Sequence, residues 1–307
     1  MSTQNTAETA QPGIFEWHPA ELIRRRLPSR HETGPDPASD SNSARFALIV
    51  LNQPLHTHLG VVRQLWDNAH IRIAADGGAN ALYEAAGQHG DSSFDDLAVI
   101  IGDLDSLSPA AQSYYESRDD STGQQQKTQV IRDPDQESTD FGKAVQYIRR
   151  TTTSDTHQTA NANANAKTKT KPLDIVAVGG LGGRVDQGLS QLHHLYLFQT
   201  DPRYADGRMY LFSGESLTFL LKPGKHRIRV RDSPAGERED VFGKHVGILP
   251  VGGPSSISTA GLEWDVRDWE TAFGGRVSTS NHVLPETEVV EVATTREVLF
   301  TIALRGV

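Results

Sequence analysis

The rhythm of apolar and polar positions divides the chain near Arg45 and again near Tyr204. Between those points short apolar runs alternate with helical patterns. Residues 46–51, 71–75, 97–101 and 173–178 are almost unbroken apolar stretches, as in strands buried on both faces, and Val130-Ile131 is a shorter one. Between them, 56–68 carries Leu59, Val62 and Leu65 or Trp66 at helical spacing. Residues 79–86 predict a short helix, and 108–117 predict another with Pro109 in its first turn. Phe141, Ala144, Val145 and Ile148 fall at i, i+3, i+4 and i+7 of an amphipathic helix over 138–150. Ser138 or Thr139 suits its cap, and Arg149 and Arg150 suit its C-terminal end. A last helix over 184–199 places Val185, Leu189, Leu192, Tyr196 and Leu197 on one face. This alternation predicts a three-layer α/β domain with a mostly parallel sheet.

Beyond Tyr204 the helical period disappears. Short β-type runs at 208–212, 216–221, 225–230, 245–251, 257–259, 277–280, 289–292 and 298–303 are separated by turn residues such as Ser213-Gly214, Pro223-Gly224 and Gly274-Gly275. They predict a small all-β sandwich or barrel, with 233–244 as an irregular charged loop. The expected organisation is a partly disordered N-terminal tail (1–43), an α/β nucleotide- and metal-binding domain (44–205) and a β domain (206–307). The tail can pack at Ile14, Phe15, Trp17, Leu22, Ile23 and Leu27. Inside the α/β domain, 151–171 contains Ala-Asn and Lys-Thr repeats with almost nothing to bury, which predicts a disordered insertion.

Composition narrows the function. A length of 307 residues suits two domains. A net charge of −9 argues against nucleic acid as a partner, although bound Mg²⁺ would reverse the local field for an anionic substrate. The absence of cysteine excludes disulfides, thiolate nucleophiles and cysteine zinc sites, and it is compatible with a reducing compartment. No stretch is apolar enough over the length needed to span a bilayer, and 1–13 lacks the apolar core of a secretory signal. A cytoplasmic protein with no membrane partner is therefore expected.

Acidic and glycine-rich motifs follow the predicted strands. Asp76-Gly77-Gly78-Ala79-Asn80 follows the second, Gly102-Asp103-Leu104-Asp105-Ser106 the third, and Gly179 through Asp186 the last, while 133–140 opens a helix. In an open parallel sheet such loops line one crevice. Asp103 and Asp105 can both point into it if the chain turns at Leu104, and paired carboxylates at that spacing suit Mg²⁺. Alone, Asp-x-Asp is more often a hydrogen-bonded turn. Asp140 and Asp186 open neighbouring helices at the same edge, and four clustered carboxylates would repel one another without a cation. The glycine turn 179–183 can offer N–H groups to phosphate at a helix N-terminus, and Arg184 adds a planar fork. Trp264, set among polar residues, is by itself a core tryptophan more often than a ligand platform. His193-His194 reads as structural or exposed, because adjacent helical residues point in different directions.

Together these motifs resemble thiamine pyrophosphokinase of the eukaryotic, fungal type. The resemblance runs in order through 75–80, 101–106, Gln136 to Phe141, 179–186, Gly261-Leu262-Glu263-Trp264-Asp265 and Ser278-Thr279-Ser280-Asn281, and it covers roughly 45–304. It implies an α/β domain followed by a β-sandwich, and a homodimer with active sites at the subunit interface. The implied activity is transfer of the pyrophosphoryl group of ATP to thiamine, with Mg²⁺ as cofactor. Asp103, Asp105, Asp140 and Asp186 fall on its catalytic positions, and the first three on its metal positions. Asp76, Gly77, Gly78, Gly180, Gly183 and Arg184 fall on the nucleotide side, and Gln136, Trp264, Ser280 and Asn281 on the thiamine side. Glu137 stands where the family often has Asp, and no metal role is given to it. Other metal-dependent nucleotide transferases or phosphohydrolases, and a non-catalytic thiamine or nucleotide sensor, are the competing readings.

Overall fold

A computed structural model describes residues 13–24, 45–55, 58–89, 94–117, 127–158, 172–231 and 240–305. The chain opens with β1 (Ile14–Trp17) and a 3-10 turn over Pro19–Leu22. It then alternates through β2 (Phe46–Val50), α1 (Leu59–Asn68), β3 (Ile71–Ala75), α2 (Gly78–His89), β4 (Val99–Gly102) and α3 (Pro109–Ser117). The alternation continues with β5 (Gln129–Arg132), α4 (Asp140–Gln158), β6 (Asp174–Val178), α5 (Val185–Leu197) and β7 (Met209–Phe212). Strands alone follow: β8 (Ser216–Leu221), β9 (Gly224–Arg229), β10 (Phe242–Leu249), β11 (Ser255–Ala260), β12 (Trp269–Thr271), β13 (Ser278–His282), β14 (Val289–Thr294) and β15 (Val298–Leu304).

Strands β7, β6, β2, β3, β4 and β5 lie side by side in parallel. The same sheet continues beyond β7 through antiparallel β8, β15, β10 and β13, so ten strands run without a break through both halves of the molecule. A five-stranded sheet, β1-β9-β14-β11-β12, completes the β half. Its Ile228, Val290 and Val292 share a core with Phe219, Val246 and Phe300 of the larger sheet, which is the expected sandwich.

Strand β2 shows why its sequence carries no polar residue. Phe46, Leu48 and Val50 join the core under Val62, Leu65 and Leu82 of α1 and α2. Ala47 and Ile49 join the opposite core, under Phe141, Val145 and Ile148 of α4. With helices on both faces the strand needs apolar side chains at both parities.

Four expectations change. Helix α4 does not stop at Arg150 but runs to Gln158, into the segment expected to be disordered from 151. The Thr151 and Thr152 hydroxyls bond to the carbonyls of Tyr147 and Ile148, so these residues continue the helix by satisfying their polar groups on it. Residues 159–171 lie outside the described residues. Helix α5 exposes part of its expected apolar face: Val185, Leu189 and Leu197 are exposed and Leu192 and Tyr196 half-buried against the core, while Gln191, His194 and Leu195 are buried. Strand β12 was not expected, because Trp269-Glu270-Thr271 is too short to show alternation.

The N-terminal segment is the fourth. It forms β1, parallel to β9 in the small sheet. Trp17 is fully buried, stacks 4.6 Å from Phe219 and donates its Nε1–H to His226 Nδ1 at 3.0 Å. Farther along, the carbonyls of Leu22 and Arg24 accept from Asn68 at the end of α1. The segment therefore ties the β half to the α/β half. Of the residues expected to pack, Trp17, Leu22 and Ile23 are buried, Phe15 is half-buried and Ile14 is exposed. Leu27 lies outside the described residues.

Candidate active site

Strand β2 is flanked by β3 on one side and by the much later β6 on the other. That reversal opens a crevice at the carboxyl ends of the strands. The chain leaves β2 through Leu51, Asn52 and Gln53. Gly77 backs onto the Asn52 side chain and Gly78 onto the Val50 carbonyl, while Gly180 lies against Leu51 and Gly183 against Gln53. The loop after β2 thus separates the Asp76-Gly77-Gly78 turn from the glycine turn after β6.

Three carboxylates converge beside this crevice. Oxygens of Asp76, Asp103 and Asp140 all lie within 4.8 Å of one another. Asp76, the first residue after β3, is in a left-handed conformation (φ 42°) and is 2 % exposed. Its Oδ2 accepts from the Ser106 N–H at 3.1 Å, and its buried Oδ1 has no hydrogen-bond partner. Burial pushes its carboxyl up to about 6. Asp103 is held by Gln136 Nε2 at 3.2 Å on Oδ2 and by the Asp105 N–H at 3.1 Å on Oδ1. The Asp105 N–H, then Gln136, draw its carboxyl below the ordinary range. Asp140, the first residue of α4, accepts on Oδ1 from the Asp103 N–H at 3.4 Å and from Lys143 Nζ at 3.2 Å. A side chain on Gly102 would clash with the group, its Cβ falling 2.6 Å from Asp76 Cβ and 3.0 Å from Asp140 Oδ1. The chain does turn at Leu104, in the left-handed region at φ 67°, yet Asp105 does not join Asp103 in the trio.

The other predicted residues are placed differently. Asp105 stands exposed at the rim and accepts from the Ser106 hydroxyl at 2.9 Å. Asp186 lies outside the carboxylate trio and pairs with Arg184 at 2.6 and 3.1 Å, both side chains exposed, which lowers its carboxyl. Gln136 belongs to the acidic cluster, through Asp103. Trp264, Ser280 and Asn281 form a separate group in the β half. Trp264 is 55 % exposed and so is not a core residue. Asn281 is buried, accepts the Trp264 N–H at 3.1 Å and donates to its carbonyl at 2.9 Å, so its amide holds the Trp264 backbone. Ser280 sits beside it in a left-handed conformation (φ 54°). The His282 ring lies 5.0 Å from that of Trp264 and pairs with Glu263 at 2.5 Å.

Sequence reasoning missed Lys143, Asn52 and Gln53. Lys143 is buried inside the Phe141–Val145 stretch, and a lysine at a core position of an amphipathic helix, three residues past Asp140, was the available signal. Asn52 and Gln53 follow the first buried strand, and their position at the crevice depends on strand order.

The family profile described as thiamin pyrophosphokinase, catalytic domain, matches residues 62–204, and that described as its vitamin B1 binding domain matches residues 225–299. The chain is 32% identical over 290 residues to thiamine pyrophosphokinase 1 of Oryza sativa subsp. japonica, covering 92% of this chain and 95% of the relative. To thiamine pyrophosphokinase 1 of Arabidopsis thaliana it is 35% identical over 276 residues, with 86% and 88% covered. The fold matches a crystal structure of yeast thiamin pyrophosphokinase with a TM-score of 0.74 at 24% identity, covering 99% of this chain and 94% of that one.

Proposed function

The chain belongs to the thiamine pyrophosphokinase family, and we infer from that membership and from the acidic crevice how its residues carry the reaction. It transfers the pyrophosphoryl group of ATP to the hydroxyl of thiamine, giving thiamine diphosphate and AMP. The hydroxyl oxygen bonds to the β-phosphorus, the bond from that phosphorus to the bridging oxygen of AMP breaks, and the hydroxyl proton is released. Such chemistry needs positioning and charge neutralisation more than covalent help.

The residues fit Mg²⁺. The donors are carboxylate oxygens, the set a hard cation takes, and the buried unpartnered Oδ1 of Asp76 is an open ligand position. Asp76, Asp103 and Asp140 would hold the ion, and Asp105 at the rim would face the phosphates. Bound Mg²⁺ would neutralise phosphate charge and fix the orientation of the transferred group. Gln136 keeps the Asp103 carboxylate turned inward. The glycine turn 179–183 and Arg184 receive phosphate oxygens, and Asp186 aims the Arg184 fork. Trp264 offers its face to the cationic thiazolium, with Asn281 and Ser280 shaping its loop.

We further propose a homodimer. The exposed Val185, Leu189 and Leu197 on α5, and Trp264, Phe273 and Val277 in the β half, are apolar surface that a second copy would cover. An active site completed between subunits would then bring a partner's Trp264 group to the acidic crevice. No helix of the described residues is long and apolar enough to cross a membrane. A cytoplasmic site of action belongs to the same reading, with which the cysteine-free composition is compatible.

The single observation that carries the catalytic assignment is the convergence of Asp76, Asp103 and Asp140. Product analysis tests it. Protein incubated with ATP, Mg²⁺ and thiamine should give thiamine diphosphate and equimolar AMP, lost in EDTA. Asp103→Asn and Asp140→Asn should lower turnover roughly 100-fold or more in folded protein, the scale of losing a main transition-state stabiliser. Thiamine monophosphate with ADP would instead mean attack at the γ-phosphorus.

A further inference from the structure

The carboxylate of Asp140 stands on the first residue of α4, so its position depends on how that helix end is fixed. Thr139 caps it: its Oγ1 accepts the Gly142 N–H at 3.0 Å, and its carbonyl accepts the Lys143 N–H at 2.9 Å. The same hydroxyl lies 2.7 Å from His194 Nε2 on α5. His194 is 3 % exposed, and its Nδ1 lies 2.5 Å from the Ser190 carbonyl oxygen. A carbonyl only accepts, so Nδ1 carries a proton. Burial draws the imidazole below its ordinary range and keeps it neutral, which leaves Nε2 bare. The Thr139 hydroxyl therefore donates to His194 and keeps its lone pairs for Gly142. The imidazole packs against Phe141 at 4.9 Å and Phe198 at 5.7 Å, which fixes the ring as well as its tautomer. His193, next to it, is exposed, and its ring meets that of His194 edge-on at 5.9 Å.

We propose that His194, as the neutral Nδ1–H tautomer, is a positioning residue that fixes the Asp140 carboxylate by anchoring the Thr139 cap of α4 to α5. It deepens the metal reading of the site and rests on it. The link also ties the helix bearing Asp140 to the helix that begins beside Arg184 and Asp186. Fixing a ligand through such an outer partner is commonly worth about 10–100-fold in metal affinity.

Mn²⁺ binding to the whole protein, read by the electron paramagnetic resonance of the free ion without substrate, tests the proposal. His194→Phe keeps a ring and removes both polar contacts; Thr139→Val removes the hydroxyl at an exposed position. Each should weaken Mn²⁺ binding roughly 10-fold, the double variant should be no weaker than the single ones, and Thr139→Ser should restore wild-type binding. In ¹⁵N-histidine spectra, His194 Nε2 should be unprotonated in the wild type. Unchanged Mn²⁺ binding in folded His194→Phe and Thr139→Val, with weakened binding in Asp140→Asn, would reduce His194 to a packing residue and overturn the proposal. Additive losses, or a protonated Nε2, would overturn the relay through Thr139. Unchanged binding in Asp140→Asn would remove the metal reading itself and the proposal with it. If His194→Phe fails to fold, the Thr139 pair of variants decides.

Discussion

The ammonium of Lys143 lies 3.2 Å from Asp140 Oδ1, one turn along the same helix, with the lysine buried and the aspartate partly open to solvent. A buried lysine is costly unless paired, and a carboxylate cluster is costly unless neutralised. Each group offsets part of the other's cost. Lys143→Met should therefore destabilise the Mg²⁺-free protein by about 2 kcal/mol, below the ~3–5 kcal/mol typical of a fully buried pair. Mg²⁺ should recover more stability in the variant than in the wild type. Denaturant unfolding with and without Mg²⁺ checks both; equal stability of the two proteins would show that the pair contributes nothing.

His226 sets a pH limit on the N-terminal strand. Its Nδ1 accepts from Trp17 and its Nε2 donates to the Lys222 carbonyl at 2.7 Å, so the ring must be neutral. Burial lowers it to about 4 from 6.5. With a depressed folded value, its contribution is fully present above pH 6.5 and is lost as pH falls toward 4. His226→Gln keeps an acceptor for Trp17 without titrating. Stability of the wild type should fall more steeply than that of the variant across that window, measured by urea midpoints at each pH. Parallel curves would mean that the ring does not titrate on unfolding.

Trp17 should behave as a core residue despite its place in the tail. Trp17→Ala should cost about 3–5 kcal/mol, the range for emptying a buried aromatic site. A change within 1 kcal/mol (roughly the scale of a surface substitution) would show that β1 is not needed to hold the two halves together.

Trp264 and Asn281 should separate substrate binding from chemistry. Trp264→Ala should raise the thiamine KM roughly 10-fold, as expected for losing a cation–π face, with the ATP KM nearly unchanged. Asn281→Ala frees the Trp264 backbone and should raise the same constant less steeply, together with some loss of stability. Steady-state kinetics in both substrates would show it; an ATP KM that rises as much as that for thiamine would place Trp264 elsewhere in the mechanism.

Much of this molecule was legible in its sequence. The unbroken apolar run of β2, the i, i+3, i+4, i+7 pattern of α4 and the short strands after Tyr204 mark elements whose burial has a local period. The aspartates and glycines were legible as candidates because they follow strands, and a parallel sheet brings such loops to one edge.

What the sequence left open depends on residues far apart in the chain. Asp76, 27 positions before Asp103, joins Asp103 and Asp140 because β3 and β4 are neighbours and Gly102 leaves room; Asp105, though closer in sequence, is turned to the rim. Helix α5 buries Gln191 against Gly180 and His194 against Thr139 of the α4 cap, and leaves Val185, Leu189 and Leu197 exposed, which helical periodicity alone does not specify. The pairing of Ile14 with Lys225 joins two segments with no shared local pattern. Apolar periodicity along the chain determined which residues form elements and at which strand ends the chemistry lies. Strand order, helix rotation and backbone approach determined which side chains meet, because a hydrogen bond or metal site needs atoms placed within a few tenths of an ångström and local periodicity specifies only a face.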